Sequence, residues 1–332
     1  MTRVGIIANP ASGKDIRRLV GHAAAVDNQG KVTIIRRVLV GLRALGVERA
    51  VIMPDTYHLG ERAVDGLSYA DQDTPELDLL DVPVTGEPED SERAARLMAA
   101  RGARLIVVLG GDGTVRMAAR GAGDIPLLPI STGTNNVIPT YIEGTVAGMA
   151  AAAVALHGIE VVRVAMRHKW LELLVNGASV DGALVDVAAL IGHFVGARAV
   201  WNAGDLRQVV ATRADPATIG ISALAGVVRP VTPEEPRGVA LDLSPQARRR
   251  ALTPIGPGML AEVGIASVTT LSLGDTVAVV PERPLILAMD GERAVVLHEG
   301  DDATLRLRDD GPWLIDPQRV MREVVARGLL ER

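Results

Sequence analysis

The run Leu105-Ile106-Val107-Val108-Leu109 followed by Gly110-Gly111-Asp112-Gly113-Thr114 constrains this chain more than any other stretch. Five apolar residues in succession predict a buried strand. The glycine turn comes next, and Val115 to Arg120 is compatible with a helix. A strand that ends in a glycine-rich turn before a helix is where α/β proteins bind phosphates, because backbone N–H groups and the helix N-terminus attract anions. Asp112 is awkward in such a place, since a carboxylate repels an anion. A bound metal or a proton-transfer role removes the conflict, so the turn points to phosphoryl transfer more than to simple nucleotide binding. A plain strand-to-helix turn with Asp112 as its cap would not need three glycines.

Strand and helix patterns alternate around this turn. Val4 to Asn9, Ala50 to Met53, Leu77 to Val84 and Leu127 to Ile130 read as strands. Ile16 to Val26, Val32 to Leu45, Tyr57 to Leu67 and a segment ending at Ala100, capped by Asp90 or Ser91, read as helices. In the second of these, Ile34, Ile35, Val38, Leu42 and Leu45 recur at helical spacing. Met149 to Leu156 is alanine-rich and reads as a packed helix. Repeated βα units imply a Rossmann-like, mostly parallel sheet over residues 1–158. The pattern changes near Ile159. Val161 to Ala165 and Leu171 to Val175 flank Arg167-His168-Lys169 as an expected hairpin. Short strand patterns follow at Leu184 to Leu190, Val239 to Leu243, Val268 to Leu273, Thr276 to Val280, Leu285 to Met289, Ala294 to Leu297 and Thr304 to Arg308. Gly, Pro and Asp turns separate them, which predicts a β-sandwich-like domain over 159–312. Residues 313–332 close the chain with an amphipathic helix that carries Val320, Val324, Val325 and Leu329 on one face.

Composition narrows the function classes. The length of 332 residues accommodates two domains, and 48% hydrophobic residues argue for packed cores. No apolar run approaches the roughly 18–20 residues needed to span a bilayer. The apolar start at Val4 is too short for a signal-peptide core, so a cytoplasmic location is the expectation. With no cysteine there is neither a disulfide framework nor a thiolate metal site. A net charge of -5 and 2% aromatic residues disfavour a nucleic-acid partner. A small-molecule substrate is expected instead, with neither nucleic acid nor membrane as partner.

Three further segments carry groups suited to a nucleotide site. In Asn9-Pro10-Ala11-Ser12-Gly13-Lys14, backbone amides and the Ser12 hydroxyl can hold a phosphate, although Ala8 and Asp15 depart from a Walker A loop. Ser131-Thr132-Gly133-Thr134-Asn135-Asn136 supplies three hydroxyls and two amides for ribose or phosphate oxygens. Asp290-Gly291-Glu292 is a hairpin-turn signal that needs no function of its own. The six histidines form no metal-ligand spacing, and Gly177 to Asp181 misses the nucleophile-elbow pattern.

Taken in order, these segments resemble the superfamily of NAD kinases and diacylglycerol kinases. Gly110 to Thr114 matches its signature, Asn9 to Gly13 resembles the opening motif of the lipid-kinase branch, and Asp290 to Glu292 resembles the late motif. The segments Asp27 to Lys31, Arg36 to Gly41, Ser131 to Pro139 and Ala183 to Val187 are more narrowly similar to the acetoin catabolism protein X branch. The resemblance implies an α/β domain, a β-sandwich, an active site between them, and a last helix packed back on the first domain. It implies an ATP-dependent small-molecule kinase acting on a hydroxyl of NAD or a related diol, linked to acetoin catabolism. ATP or polyphosphate would be the donor, with Mg²⁺ or another divalent cation, and a homo-oligomer (dimer or tetramer) is implied. Asp112 would be the general base. Asn9, Ser12, Gly13, Gly110, Gly111, Gly113, Thr114, Thr132, Gly133 and Thr134 would hold nucleotide and phosphate, and Asn135, Asn136, Asp186, Asp290 and Glu292 the substrate. No metal ligand is assigned.

Two departures separate the chain from NAD kinases. Val185-Asp186 stands where those enzymes carry an Asn-Glu pair, and Ala217-Thr218-Ile219-Gly220-Ile221 where they carry Gly-Ser-Thr-Ala-Tyr. Losing a hydrogen-bond partner costs a site roughly 1–3 kcal/mol. A non-catalytic nucleotide-binding accessory protein is therefore the second expectation, and a diacylglycerol-type lipid kinase the third.

Overall fold

The computed structural model describes residues 4–13, 26–68, 73–133, 136–191, 203–281 and 283–331, with the backbone alone at 292–294. Short apolar runs become strands covered on both faces, as parallel sheets require. They are β1 (Val4–Ala8), β2 (Arg49–Ile52), β3 (Glu76–Leu79), β4 (Leu105–Gly110) and β5 (Leu127–Ser131). They lie in the order β3-β2-β1-β4-β5, every neighbour parallel. Among the described residues, five helices join this region: α1 (Asn28–Ala44), α2 (Leu59–Ser68), α3 (Glu89–Ala100), α4 (Asp112–Ala122) and α5 (Gly144–Leu156). Ile35, Leu39 and Leu42 of α1, Leu59 of α2 and the alanines of α5 pack with Ile6, Ile52 and Leu109 on one face. Met98 of α3 and Val115 and Ala118 of α4 pack with Ile7 and Val108 on the other. The sheet order reverses between β1 and β4, and ligands of open α/β sheets bind outside the strand ends at such a point. The expected helix over Ile16 to Val26 falls mostly outside the described residues.

The α1–α5 contact is nearly backbone to backbone. A Cβ on Gly148 would lie 2.1 Å from the carbonyl oxygen of Val38, and one on Gly41 2.1 Å from that of Thr145. This close approach explains why α5 is built of alanine and glycine. The α3 cap differs from expectation. Pro88 occupies the N-cap, while Asp90 accepts from the Thr85 and Gly86 amides at 2.9 and 2.8 Å and so fixes the preceding loop.

The expected hairpin around Arg167-His168-Lys169 does not form. Val161–Val164 is a single helical turn, α6, and β6 (Ala165–Arg167) joins the first sheet, whereas β7 (Trp170–Val175) joins another. His168 and Lys169 are the crossing point, and both are buried. The Lys169 ammonium donates to the carbonyls of Thr232, Glu235 and Arg237 at 3.2, 2.5 and 2.6 Å. Apolar runs on both sides fit a hairpin and a crossing equally well, and only these long-range partners decide.

The second half contains β8 (Ala178–Ala183), β9 (Asp186–Ile191), β10 (Leu206–Ala211), α7 (Ile221–Val228), β11 (Arg237–Leu243), β12 (Arg249–Gly256) and β13 (Met259–Ser272). After them come β14 (Thr276–Val279), β15 (Leu285–Met289), β16 (Glu292–Leu297), β17 (Ala303–Arg308) and β18 (Trp313–Ile315). A seven-stranded antiparallel sheet, β12-β13-β11-β10-β9-β15-β16, faces a four-stranded one, β14-β17-β7-β8. Leu287 and Met289 of the larger sheet and Leu171, Leu173 and Leu305 of the smaller share one apolar cluster, which makes this half a sandwich. The other face of the larger sheet is covered by α7 through Leu224 and Ala225. The chain then returns. β18 pairs parallel with β5 and antiparallel with β6, and α8 (Pro317–Ala326), capped by Asp316, buries Val320 and Val324 in the core of the first domain.

Candidate active site

Three turns at the carboxyl ends of β1, β4 and β5 meet. The Asn9 amide nitrogen of the side chain donates to Thr114 Oγ1 at 2.9 Å, which ties the first turn to the start of α4. Ser12 Oγ and Thr132 Oγ1 lie 2.9 Å apart, which ties it to the third turn. The first turn is wrapped around an ammonium. Lys31, fully buried on α1, donates to the carbonyls of Asn9, Pro10 and Ser12 at 2.9, 3.3 and 2.8 Å. A fixed positive charge beneath a loop favours an anion above it. Gly13, at φ +77°, needs the left-handed conformation that glycine tolerates.

The glycines of the central turn serve close approach. A Cβ on Gly110 would meet Thr114 Cβ at 2.4 Å, and one on Gly111 would meet Asn136 Oδ1 at 2.9 Å. Gly133 faces the same Asn136, whose amide donates to Ser131 Oγ at 2.7 Å. The second and third turns are therefore interlocked through Asn136. Thr134 and Asn135 lie outside the described residues, as does the side chain of Glu292.

Asp112 opens α4, with Gly111 as the N-cap, and does not cap its own helix. Its carboxylate turns to the third turn. It accepts from Val137 N at 2.9 Å through Oδ2 and from Ile138 N at 2.8 Å through Oδ1. Burial disfavours the charged form and, with help from the nearby Asp290, pushes the group up to about 7 against these amides and the Arg213 charge. The first turn of α4 adds N–H groups without intrahelical acceptors, next to the carboxylate.

Asp290 sits at the β15–β16 turn with φ +51°, followed by Gly291 at +77°, as the hairpin signal requires. Its side chain is fully enclosed. The carboxylate accepts from the backbone amides of Leu184, Val185 and Asp186 at 2.9, 2.7 and 3.2 Å. It thereby shapes the strand entry on which the buried Asp186 stands. Leu184 and Val185 pack with Val115 and Ile138, so this turn abuts the Asp112 turn. Arg116, one helical turn past Asp112, spans the junction. Its Nη1 donates to Asp181 Oδ2 at 3.1 Å, and its Nε lies 3.8 Å from Asp290 Oδ2. Arg116 is a site residue that the sequence patterns did not single out, and Lys31 entered only within the Asp27 to Lys31 resemblance, with no site role given to it. An isolated basic residue on a helix carries no signal of where it points.

Among the described residues, no group of three His, Cys, Asp or Glu can hold a metal ion, and no helix is long and apolar enough to cross a membrane. The glycine turn and the helix N-terminus offer backbone N–H groups of the kind that suit an anion.

An α/β domain with a glycine-flanked buried aspartate is thus joined to an antiparallel sandwich, an NAD kinase-like fold. The ATP-NAD kinase N-terminal domain family matches residues 4–157, and the acetoin catabolism protein X C-terminal domain family matches residues 169–310. The acetoin catabolism protein X of Cupriavidus necator is 38% identical over 328 residues, covering 96% of this chain and 91% of that protein. A solved structure described as a candidate diacylglycerol kinase from Bacillus anthracis str. Sterne is 14% identical and covers 94% of each chain with a TM-score of 0.51, a likeness of fold. The chain belongs to the acetoin catabolism protein X family.

Proposed function

We propose that the chain is an ATP-dependent small-molecule kinase that phosphorylates a hydroxyl of NAD or of another diol-containing acceptor, in the acetoin catabolism for which its relative is named. The observation that carries this reading is the Asp112 carboxylate. It is enclosed, pinned by two backbone amides, set at a helix N-terminus and balanced near neutral pH. A general base works best when its pKa lies near the working pH. Asp112 takes the proton of the acceptor hydroxyl as that oxygen forms its bond to phosphorus and the bond to the leaving phosphate breaks. Asn9, Ser12, Thr114 and Thr132 hold the three turns in register around the phosphates. Bound Mg²⁺ supplies neutralisation of the phosphate charge.

The test is a turnover assay over a panel of nucleotides, diols and ketoses with ATP and with polyphosphate. Asp112→Asn is expected to lower the rate roughly 10²- to 10⁴-fold. An equally active variant would sink the assignment. The departures from the NAD kinase pattern at Val185-Asp186 and Ala217 to Ile221 favour a second reading, an accessory protein that binds nucleotide without turnover. Tight binding of ATP or NAD by calorimetry, with no product from the whole panel, would select it.

A further inference from the structure

Two enclosed carboxylates meet where the domains join. Asp112 comes from α4, and Asp290 from the β15–β16 turn of the sandwich. Among charged groups Asp290 acts most strongly on Asp112, ahead of the opposing Arg213. Two carboxylates cut off from water do not ionise together without a cation.

Arg116 supplies a cation from the helix of Asp112 itself, with a side chain only 6% exposed. Its Nη1 donates to Asp181 Oδ2 at 3.1 Å and to the Gly182 carbonyl at 3.3 Å, both on β8 of the sandwich. Asp181 is fixed in turn by Arg120 at 2.7 Å, and Arg120 by Glu92 of α3 at 3.1 Å. These contacts alone would brace the two domains. They do not account for the other edge of the guanidinium. Nε is enclosed, has no hydrogen bond among the described residues, and stands 3.8 Å from Asp290 Oδ2. From there its charge faces Asp290 while the carboxylate oxygens stay with the amides of Leu184, Val185 and Asp186. Arg116 is the main charge acting on Asp290, whereas those acting most on Asp112 are Asp290 and Arg213. The further acidic neighbours of the junction are Asp186 at the head of β9 and Asp181 on β8.

We infer that Arg116 is a positioning residue that acts on Asp112 through Asp290: it fixes the Asp290 turn against the Asp112 helix and keeps that second carboxylate charged. A charged Asp290 makes Asp112 hold its proton to higher pH. Without Arg116, the enclosed Asp290 takes up a proton, its repulsion ends, and Asp112 ionises at lower pH. The inference rests on the kinase reading only for the role of Asp112 as base.

The test follows the carboxyl carbon of Asp112 by NMR in the full chain labelled at aspartate, without substrate. Its resonance is the one absent from Asp112→Asn. In wild type it is expected to titrate at about 7. Arg116→Met is expected to lower that midpoint by about one pH unit, and Arg116→Lys, which keeps the charge, to move it back toward wild type. Asp290→Asn is expected to lower it as well, and Arg116→Met added to Asp290→Asn to change it no further. A midpoint that stays or rises in a folded Arg116→Met overturns the inference and leaves Arg116 a brace. Should Arg116→Met fail to fold, Arg116→Gln is read by the same criteria. An unmoved midpoint in Asp290→Asn overturns the inference in either case. Where there is turnover, the pH limb of the rate is expected to move with the NMR midpoint. An Arg116-dependent midpoint in a protein that turns over nothing would end the kinase reading and leave this inference standing. An Asp112-dependent kinase whose pH limb ignores Arg116 would do the reverse.

Discussion

At the scale of single residues, Asp112 and His168 pull the stability of the molecule in opposite directions with pH. Burial holds Asp112 at about 7, above its unfolded value of 3.8, so the fold favours the protonated acid. That contribution is fully present below about pH 4 and is lost as pH rises through about 7, at no more than about 1.4 kcal/mol per pH unit. Burial holds His168 at about 4, below 6.5, so its contribution is present above pH 6.5 and lost as pH falls toward 4. The two trends oppose each other between about pH 4 and 6.5. Asp112→Asn removes one of them. Urea denaturation of the variant over this window is expected to show stability rising with pH more steeply than in wild type. An unchanged slope would mean that Asp112 ionises normally in the fold. In wild type the turnover rate is expected to rise with pH along a limb centred near 7, as the base form appears. Asp112 was legible in the sequence because three glycines surround it. Arg116 was not, because nothing local distinguishes one arginine from the others in a chain whose cations are nearly all arginine.

At the scale of elements, the helical spacing of Ile35, Val38 and Leu42 was enough to place α1, while its contact with α5 depends on residues that carry no hydrophobic signal. Gly41 and Gly148 let the helices touch through their backbones. Gly148→Ala is expected to destabilise the protein by about 1–3 kcal/mol, the cost of overpacking a tight contact, with unchanged helix content by circular dichroism. A stability equal to wild type would show that the crossing can widen freely. The strands of the sandwich were partly legible. Leu285 to Met289 and Thr304 to Arg308 are marked by apolar or alternating patterns, and they form β15 and β17. The 14-residue β13 was seen only over its second half. Its first half exposes Leu260 and pairs only with β12, so it lacks the clean alternation of a half-buried strand. α7 has no counterpart among the sequence patterns, because its short run, Ile221 to Val228, is almost wholly apolar and fits no period.

At the scale of the whole molecule, the last twenty residues belong to the first domain. β18 completes its sheet and α8 closes its core with Val320 and Val324. Ending the chain at Pro312 would strip this cover and leave Ile315's neighbours, including Val164 and Ala165, facing solvent. The shortened protein is expected to melt at least several degrees lower than the full chain and to expose apolar surface to a hydrophobic dye. A coincident melting curve would show that the return of the chain is dispensable. The sequence by itself determined the βα alternation, several of the sandwich strands and the Asp112 turn, because these rest on local periodicity and on the steric freedom of glycine. Tertiary structure alone decided that His168 and Lys169 cross between sheets and that Asp290 gathers the Leu184 to Asp186 turn. It also decided that Lys31 lies beneath the first turn and that Arg116 reaches Asp181 and Asp290. Each of these depends on a charge or an amide meeting a partner tens to hundreds of residues away, and no local pattern encodes such a meeting.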